Sequence, residues 1–230
     1  MPAKRVDIPG IGLVSFYKRR DARALKITMG HGNELRVTLP SWMPYRAGLE
    51  FVKTKKTWVD QHRRPLAQLE TGMLIGKAHR LYLLPRSVTT VSSRVSAQAI
   101  HISYPNAQLP SSPDIQSAAK RASIRALRQE ATNLLPIRLK QLATQHGFTY
   151  HSVTIKQLKA RWGSCSAQKD IALNLFLMQL TWPLIDYVLL HELTHTQVLS
   201  HNADFWATLE SCQPEAKQLR KELRAFQPNF

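Results

Sequence analysis

Residues 191–201 read His-Glu-Leu-Thr-His-Thr-Gln-Val-Leu-Ser-His. On an α-helix His191 and His195, four residues apart, project from one face, one turn above the other. Two imidazoles so related can share one tetrahedral metal ion. Glu192, one position round, can lean toward a water at that ion without ligating it. The chemistry is hydrolytic: zinc makes a water acidic near neutral pH, and a neighbouring carboxylate takes its proton as the oxygen attacks a polarised carbonyl.

Such a site uses three protein ligands and keeps the fourth position for water. His201 and Glu210 are the candidates for the third. On a straight continuation of the helix His201 would lie about 9 Å beyond His195, at roughly 1.5 Å per residue, out of reach of the same ion. If His201 is the ligand, the helix must end near Val198–Ser200 and the chain must turn back. The spacing HExxHxxGxxH makes that turn with a glycine, where this chain has Val198. The turn must then be built otherwise, with Ser200 or Asn202 capping the next helix. Glu210, on that next helix, would instead complete the site as a distant glutamate.

The metal helix needs a rigid setting. Pro183 suits its first turn, and Leu184, Ile185, Val188 and Leu189 make an apolar approach to the motif. Upstream, Val153–Leu158 and Ile171–Leu177 read as strands flanking the turn Gly163–Asp170. A long helix is expected from Asp114, with Pro136 kinking or splitting it and Gly147 ending it. The segment 104–113, rich in Pro and Ser, is the expected boundary between a β-rich region 1–110 and a second domain 111–230. Within 1–110, Ile11–Tyr17, Ala24–Met29 and Glu34–Leu39 read as antiparallel strands, with Gly30-His31-Gly32-Asn33 as a hairpin signal. A helix is expected from Pro44 to about Arg64, ended by Pro65. Met73–His101 returns to strands. Trp42 and Trp58 read as core anchors, and His31, His79 and His101 as surface or turn histidines. After the metal helix come Phe205–Cys212 and, past Pro214, a polar helix Glu215–Phe226.

The 230 residues carry a net charge of +17. Residues 1–110 hold 18 Lys/Arg against 6 Asp/Glu, 111–161 hold 9 against 2, and 162–230 hold 5 against 7. The excess positive charge thus lies outside the motif-bearing segment. A basic surface of this kind attracts polyanions, nucleic acid above all, or merely solvates and self-repels. No apolar run approaches the roughly 20 residues that span a bilayer, and the N-terminus lacks a signal-peptide core, so no membrane association and a cytoplasmic location are expected. Cys165 and Cys212, outside any CxxC pair, read as separate thiols in a reducing compartment.

From Arg161 onward the chain resembles the YgjP-like zinc metallopeptidase family, distantly similar to SprT-type zinc proteases. The resemblance rests on Arg161-Trp162-Gly163-Ser164-Cys165-Ser166, Ile171-Ala172-Leu173-Asn174, Pro183, Ile185-Asp186-Tyr187-Val188, His191-Glu192-Leu193 with His195, and His201 with Phe205-Trp206. It implies that His191, His195 and His201 bind Zn2+ and that Glu192 is the general acid/base. Thr194 and Ser200 depart from the family's usual Ala and Asn. The strands around RWGSC would supply an edge for extended substrate. Cys165 as a nucleophile competes poorly, because the metal already activates the attacking water. Arg161 would pair with a carboxylate such as Asp186 or stabilise a developing oxyanion. The expected architecture is α+β: a β-rich N-terminal region, then a zincin-like metallopeptidase domain with a small antiparallel sheet and the HExxH helix. The expected function is zinc-dependent hydrolysis of peptide bonds in peptide or protein substrates. The alternative is a basic nucleic-acid-associated protein, including a protease acting on DNA-bound proteins.

Overall fold

The computed structural model describes residues 4–29, 35–62, 68–159, 161–226 and 228. The chain forms two compact units, Met1–Ala67 and Gln68–Pro228. The hairpin signal at 30–33 and the helix stop at Pro65 lie outside the described residues.

The first unit holds β1 (Lys4–Ile8), β2 (Gly12–Arg19), β3 (Lys26–Met29), β4 (Leu35–Pro40), α1 (Tyr45–Thr54) and α2 (Lys56–His62). Its sheet runs β1-β2-β4-β3. It is mixed, unlike the antiparallel expectation. β1–β2 and β3–β4 pair antiparallel, and laying the two pairs edge to edge makes β2 and β4 parallel. Alternation along the strands sends Val14, Phe16, Leu35, Val37 and Leu39 into a core with Val52 and Val59 of the helices. By register, Arg5, Ser15, Arg36 and Thr28 form a row on the other face, and Tyr17, Thr38 and Lys26 the next. The helix expected from Pro44 is interrupted at Lys55, whose N–H is shared between the carbonyls of Phe51 and Val52. Trp42 is 74% exposed and anchors nothing, whereas Trp58 packs against the core.

The second unit is organised on α3 (Pro113–His146), a 34-residue helix. Pro136 does not split it; Leu135, Leu139 and Leu142, buried around the proline, hold both halves to the interior. Against α3 pack β5 (Arg80–Arg86), β6 (Ser92–Val95) and β7 (Ala99–Pro105), in sheet order β5-β7-β6. The division expected at 110/111 therefore falls inside this unit. The buried residues Leu81, Leu83, Ile100 and Ile102 of that sheet, and Ala118, Ala119, Ala122 and Ala126 of α3, share one core. A polar clasp reinforces it. Glu130 of α3 accepts the backbone N–H groups of Lys77, Ala78 and His79 and the His79 ring Nδ1 (2.6 Å), while His79 Nε2 donates to Ser96 O (2.9 Å). His79 is buried, not a surface histidine, and Gly76 has no room for a Cβ because the Glu130 carboxylate occupies that space. Lys77 Nζ also reaches Leu180 O and lies over the Trp182 ring, tying the clasp to the approach of the metal-motif helix.

Next come β8 (Ser152–Lys156), β9 (Gly163–Cys165), β10 (Asp170–Asn174), a 3-10 turn Leu175–Gln179, α4 (Trp182–Thr194), α5 (Ala203–Cys212) and α6 (Ala216–Ala225). The small sheet, β8-β10-β9, is also mixed: β10 runs parallel to β8 and antiparallel to β9. β9 packs on α4, which also packs against α3, α5 and α6. The molecule is thus mixed α and β with small sheets. Among the described residues no helix is long and apolar enough to cross a membrane.

Candidate active site

α4 begins with Pro183 in its first turn and buries Leu184, Ile185, Val188, Leu189, Leu190 and Leu193. Asp186 accepts a bidentate pair from Arg138 of α3 (2.8 and 2.6 Å), which sets α4 against that helix. Asp186 is therefore the partner of Arg138 rather than of Arg161.

The helix ends at Thr194, one turn before the expected stop, and does so without left-handed backbone. Main-chain bonds carry the chain round, Thr196 N to Leu193 O and both Gln197 N and Val198 N to Thr194 O, and threonine hydroxyls add to them: Thr194 Oγ1 donates to Leu190 O (2.8 Å) and Thr196 Oγ1 to Leu193 O (2.7 Å). His195 Nδ1 donates to Val198 O at 3.1 Å, leaving its Nε2 as a lone pair and fixing the ring. Asn202 then caps α5, its side chain accepting from Phe205 N at 3.0 Å.

This turn brings His201 back over α4. His201 Nε2 lies 3.1 Å from His191 Nε2 and 3.2 Å from His195 Nε2. An imidazole nitrogen carries either a proton or a lone pair, so hydrogen bonds cannot satisfy the three nitrogens together: one N–H on His201 points at a single neighbour and leaves the other contact unbonded. A cation at their centre resolves all three. With bonds of about 2.0–2.1 Å, tetrahedral zinc sets its ligand nitrogens roughly 3.4 Å apart, close to the spacing found. Burial, followed by the proximity of His195, His201 and Arg220, lowers the His191 pKa to about 3, which keeps that imidazole in the neutral, ligating form. Burial also lowers the His195 pKa, against the pull of the Val198 carbonyl. The donor set fits a metal ion. Glu210 stands apart from it, paired with Lys217 (3.0 Å).

Phe205, fully buried, backs the cluster, its ring centroid 4.9, 4.6 and 4.7 Å from those of His191, His195 and His201. Trp206 stands outside it, 6.0 Å from His201. The sequence placed both residues after the motif without assigning either a role.

Glu192 is 5% exposed, and burial raises its pKa to about 8, opposed by Arg161. Its carboxyl lies against β9 at the point where that strand has no side chain. A Cβ on Gly163 would meet Glu192 Oε1 at 2.6 Å and Cγ at 2.7 Å. The glycine of RWGSC is thus the space the carboxylate occupies. The loop bearing Arg161 is held by the buried Asn174, whose Nδ2 donates to Leu158 O (2.8 Å) and Arg161 O (2.9 Å). Asn174 N also donates to Trp162 O, and Ser166 N to Asp170 O. These alternate bonds turn the backbone groups of Gly163 and Cys165 away from β10, toward the open edge of the sheet. The cavity beside Glu192 has a volume of about 250 Å³ and is lined by Arg161, Trp162, Gly163, Tyr187, Val188, His191, Glu192 and Leu223. Burial pushes the Cys165 thiol pKa up, away from the thiolate a nucleophile needs.

The family described as YgjP-like, metallopeptidase domain, matches the chain over residues 23–226. The crystal structure of the metallopeptidase zymogen of Pyrococcus abyssi abylysin is 24% identical over 40% of this chain and 93% of its own, with a TM-score of 0.37. No curated protein matches.

Proposed function

The chain belongs to the YgjP-like metallopeptidase family, and from that premise we propose that it is a zinc-dependent peptidase with His191, His195 and His201 as metal ligands and Glu192 as general base. The observation that carries this reading is the convergence of three imidazole nitrogens beside a buried carboxylate on the same helix. When bound, zinc would supply Lewis acidity, polarising the scissile carbonyl and acidifying a water. Glu192 takes the proton from the attacking water and returns it to the leaving amine. Burial favours its protonated form, which makes the return step easy, and Arg161 favours the ionised form that starts the cycle. The guanidinium of Arg161, on the cavity wall, stabilises negative charge developing on the carbonyl oxygen. The outward backbone groups of Gly163 and Cys165 receive an extended substrate as an added strand, which holds the scissile bond over α4. Digestion of a peptide library tests the mechanism. Glu192→Gln should keep its metal and lose about 10²–10⁴-fold in rate; a variant that cleaves like the parent sinks the proposal.

The basic face of the first unit supports a second reading, binding of nucleic acid. Arg5, Arg36 and Lys26 share that face with Tyr17, a combination that suits phosphate contacts and base stacking. DNA affinity that falls steeply with salt and weakens in Arg5→Gln/Lys26→Gln supports it. Salt-independent or absent binding removes it.

A further inference from the structure

α6 forms one wall of the cavity beside Glu192. It buries Ala216 and Leu219, packs on α4, and turns Leu223 into the cavity with Trp162, Tyr187 and Val188. Arg220, one turn earlier, holds its guanidinium 4.6 Å over the Trp206 ring, whose centroid is 6.0 and 6.5 Å from those of His201 and His191. Arg224 follows Arg220 at i+4, and Arg161 stands on the cavity wall.

Residues 162–230 are acidic on balance, yet both of their arginines, Arg220 and Arg224, sit on this helix. Among the carboxylates around the site, Glu192 is drawn toward its ionised form by Arg161, while Asp186 is engaged by Arg138, Glu210 by Lys217, Asp170 by His151 and Ser152, and Glu222 by Gln218. Among the described residues, none of Arg161, Arg220 and Arg224 forms an ion pair with a carboxylate. An apolar cavity is therefore flanked by arginines whose planar donors match a carboxylate. Stacking on Trp206 limits the freedom of Arg220, so less entropy is lost when it takes a ligand.

We propose that α6 is the specificity wall of this site, selecting peptides that present a large apolar side chain next to a carboxylate. Leu223, with Trp162, Tyr187 and Val188, receives the apolar side chain, and Arg220, with Arg224, receives the carboxylate. That carboxylate belongs either to an adjacent Asp or Glu or to the peptide's own C-terminus. The inference rests on the reading of the site as a peptidase centre and names the substrate class for it.

The test uses the full chain carrying Glu192→Gln, so that peptides are bound and not consumed, with affinities read by fluorescence anisotropy. An otherwise neutral labelled peptide carries Leu-Glu, Leu-Gln or Ala-Glu at its centre. A second pair ends in Leu with a free or an amidated C-terminus. Leu-Glu should bind about fivefold tighter than Leu-Gln and about tenfold tighter than Ala-Glu. If the free terminus outbinds its amide by more than Leu-Glu outbinds Leu-Gln, the terminal carboxylate is the natural source; the reverse assigns a side chain. Arg220→Gln should bring the Glu/Gln ratio toward one and leave the Leu/Ala ratio in place. Leu223→Ala should do the opposite, a crossed pattern that general misfolding cannot produce. A charge ratio of one in both peptide series, ratios unmoved by both substitutions, or no binding by any peptide overturns the proposal. Digestion by the unsubstituted chain reports separately. Binding ratios as expected without cleavage would fell the peptidase reading alone, and cleavage with ratios of one would fell the specificity wall alone.

Discussion

Gly163→Ala probes the site through a single methyl group. A Cβ at Gly163 would stand 2.6, 2.7 and 2.8 Å from Oε1, Cγ and Cδ of Glu192, where ordinary contacts begin near 3.4 Å. Either β9 or the carboxyl must move by about 0.8 Å to restore contact distance, an increment fixed by van der Waals radii. α4 is packed on four sides, so the flexible Glu192 side chain yields first. Displacing a catalytic group by about 1 Å costs on the order of 100-fold in rate. Overpacking adds about 1–3 kcal/mol of lost stability. The backbone of Gly163 is not in the left-handed region, so the effect is steric crowding of the carboxylate and not turn strain. Steady-state cleavage of a peptide substrate, thermal melting and metal content, compared with the parent, give the answer. We expect kcat to fall about 100-fold with metal content unchanged and KM little altered. A folded, metal-loaded Gly163→Ala that turns over like the parent refutes the placement of Glu192. Loss of metal along with activity refutes it too, because the methyl would then be disturbing the histidines.

Two further substitutions test the elements that position the site. Glu130→Gln replaces a buried acceptor of four hydrogen bonds and should cost about 3 kcal/mol, roughly 5–10 °C in Tm. Burial alone would raise the Glu130 pKa, but the bonds from Lys77, His79 and Ala78 outweigh it and hold the carboxyl below its ordinary 4.5. A carboxyl lowered by folding contributes stability that is whole above the unfolded value and is lost as pH falls through the folded one. The parent should therefore destabilise below about pH 4.5, and Glu130→Gln should flatten that decline in pH-dependent denaturant melts. An unchanged acid limb counts against the clasp. Asn174→Ala releases the loop bearing Arg161 and leaves two carbonyls without their donor, costing about 2–3 kcal/mol. Its melting midpoint should drop, and amide exchange at residues 158–162 should quicken; unaltered exchange there contradicts the tether.

The metal motif was legible because helical spacing is local: four residues separate His191 from His195 whatever surrounds them. The return of His201 was legible from the reach of the helix as a condition of its being the third ligand, and Asn202 was legible from its residue type as one of two candidate caps beside Ser200. The means of turning was not. It depends on main-chain bonds from Thr196, Gln197 and Val198 back to Leu193 and Thr194, joined by the two threonine hydroxyls, and no residue type there signals them. Gly163 was visible within RWGSC, but its reason, the carboxyl of Glu192 twenty-nine residues later, exists only once β9 lies on α4. Strand existence came from alternation, whereas parallel pairing did not, because alternation is the same in either direction. The 68–110 segment reads as β-rich and so joined the N-terminal strands in composition. What assigns it to α3 is the core its strands share with that helix, reinforced by the buried Glu130 clasp, which no residue near position 79 announces. His79 was misplaced on the surface for the same reason.

The central claim is that three histidines hold the metal. It is tested most directly by metal analysis of the purified chain beside His201→Ala and Glu210→Ala, each checked for folding. The three-histidine account predicts about one zinc per chain in the parent and in Glu210→Ala, and a marked loss in His201→Ala. Zinc retained by His201→Ala and lost from Glu210→Ala would contradict it.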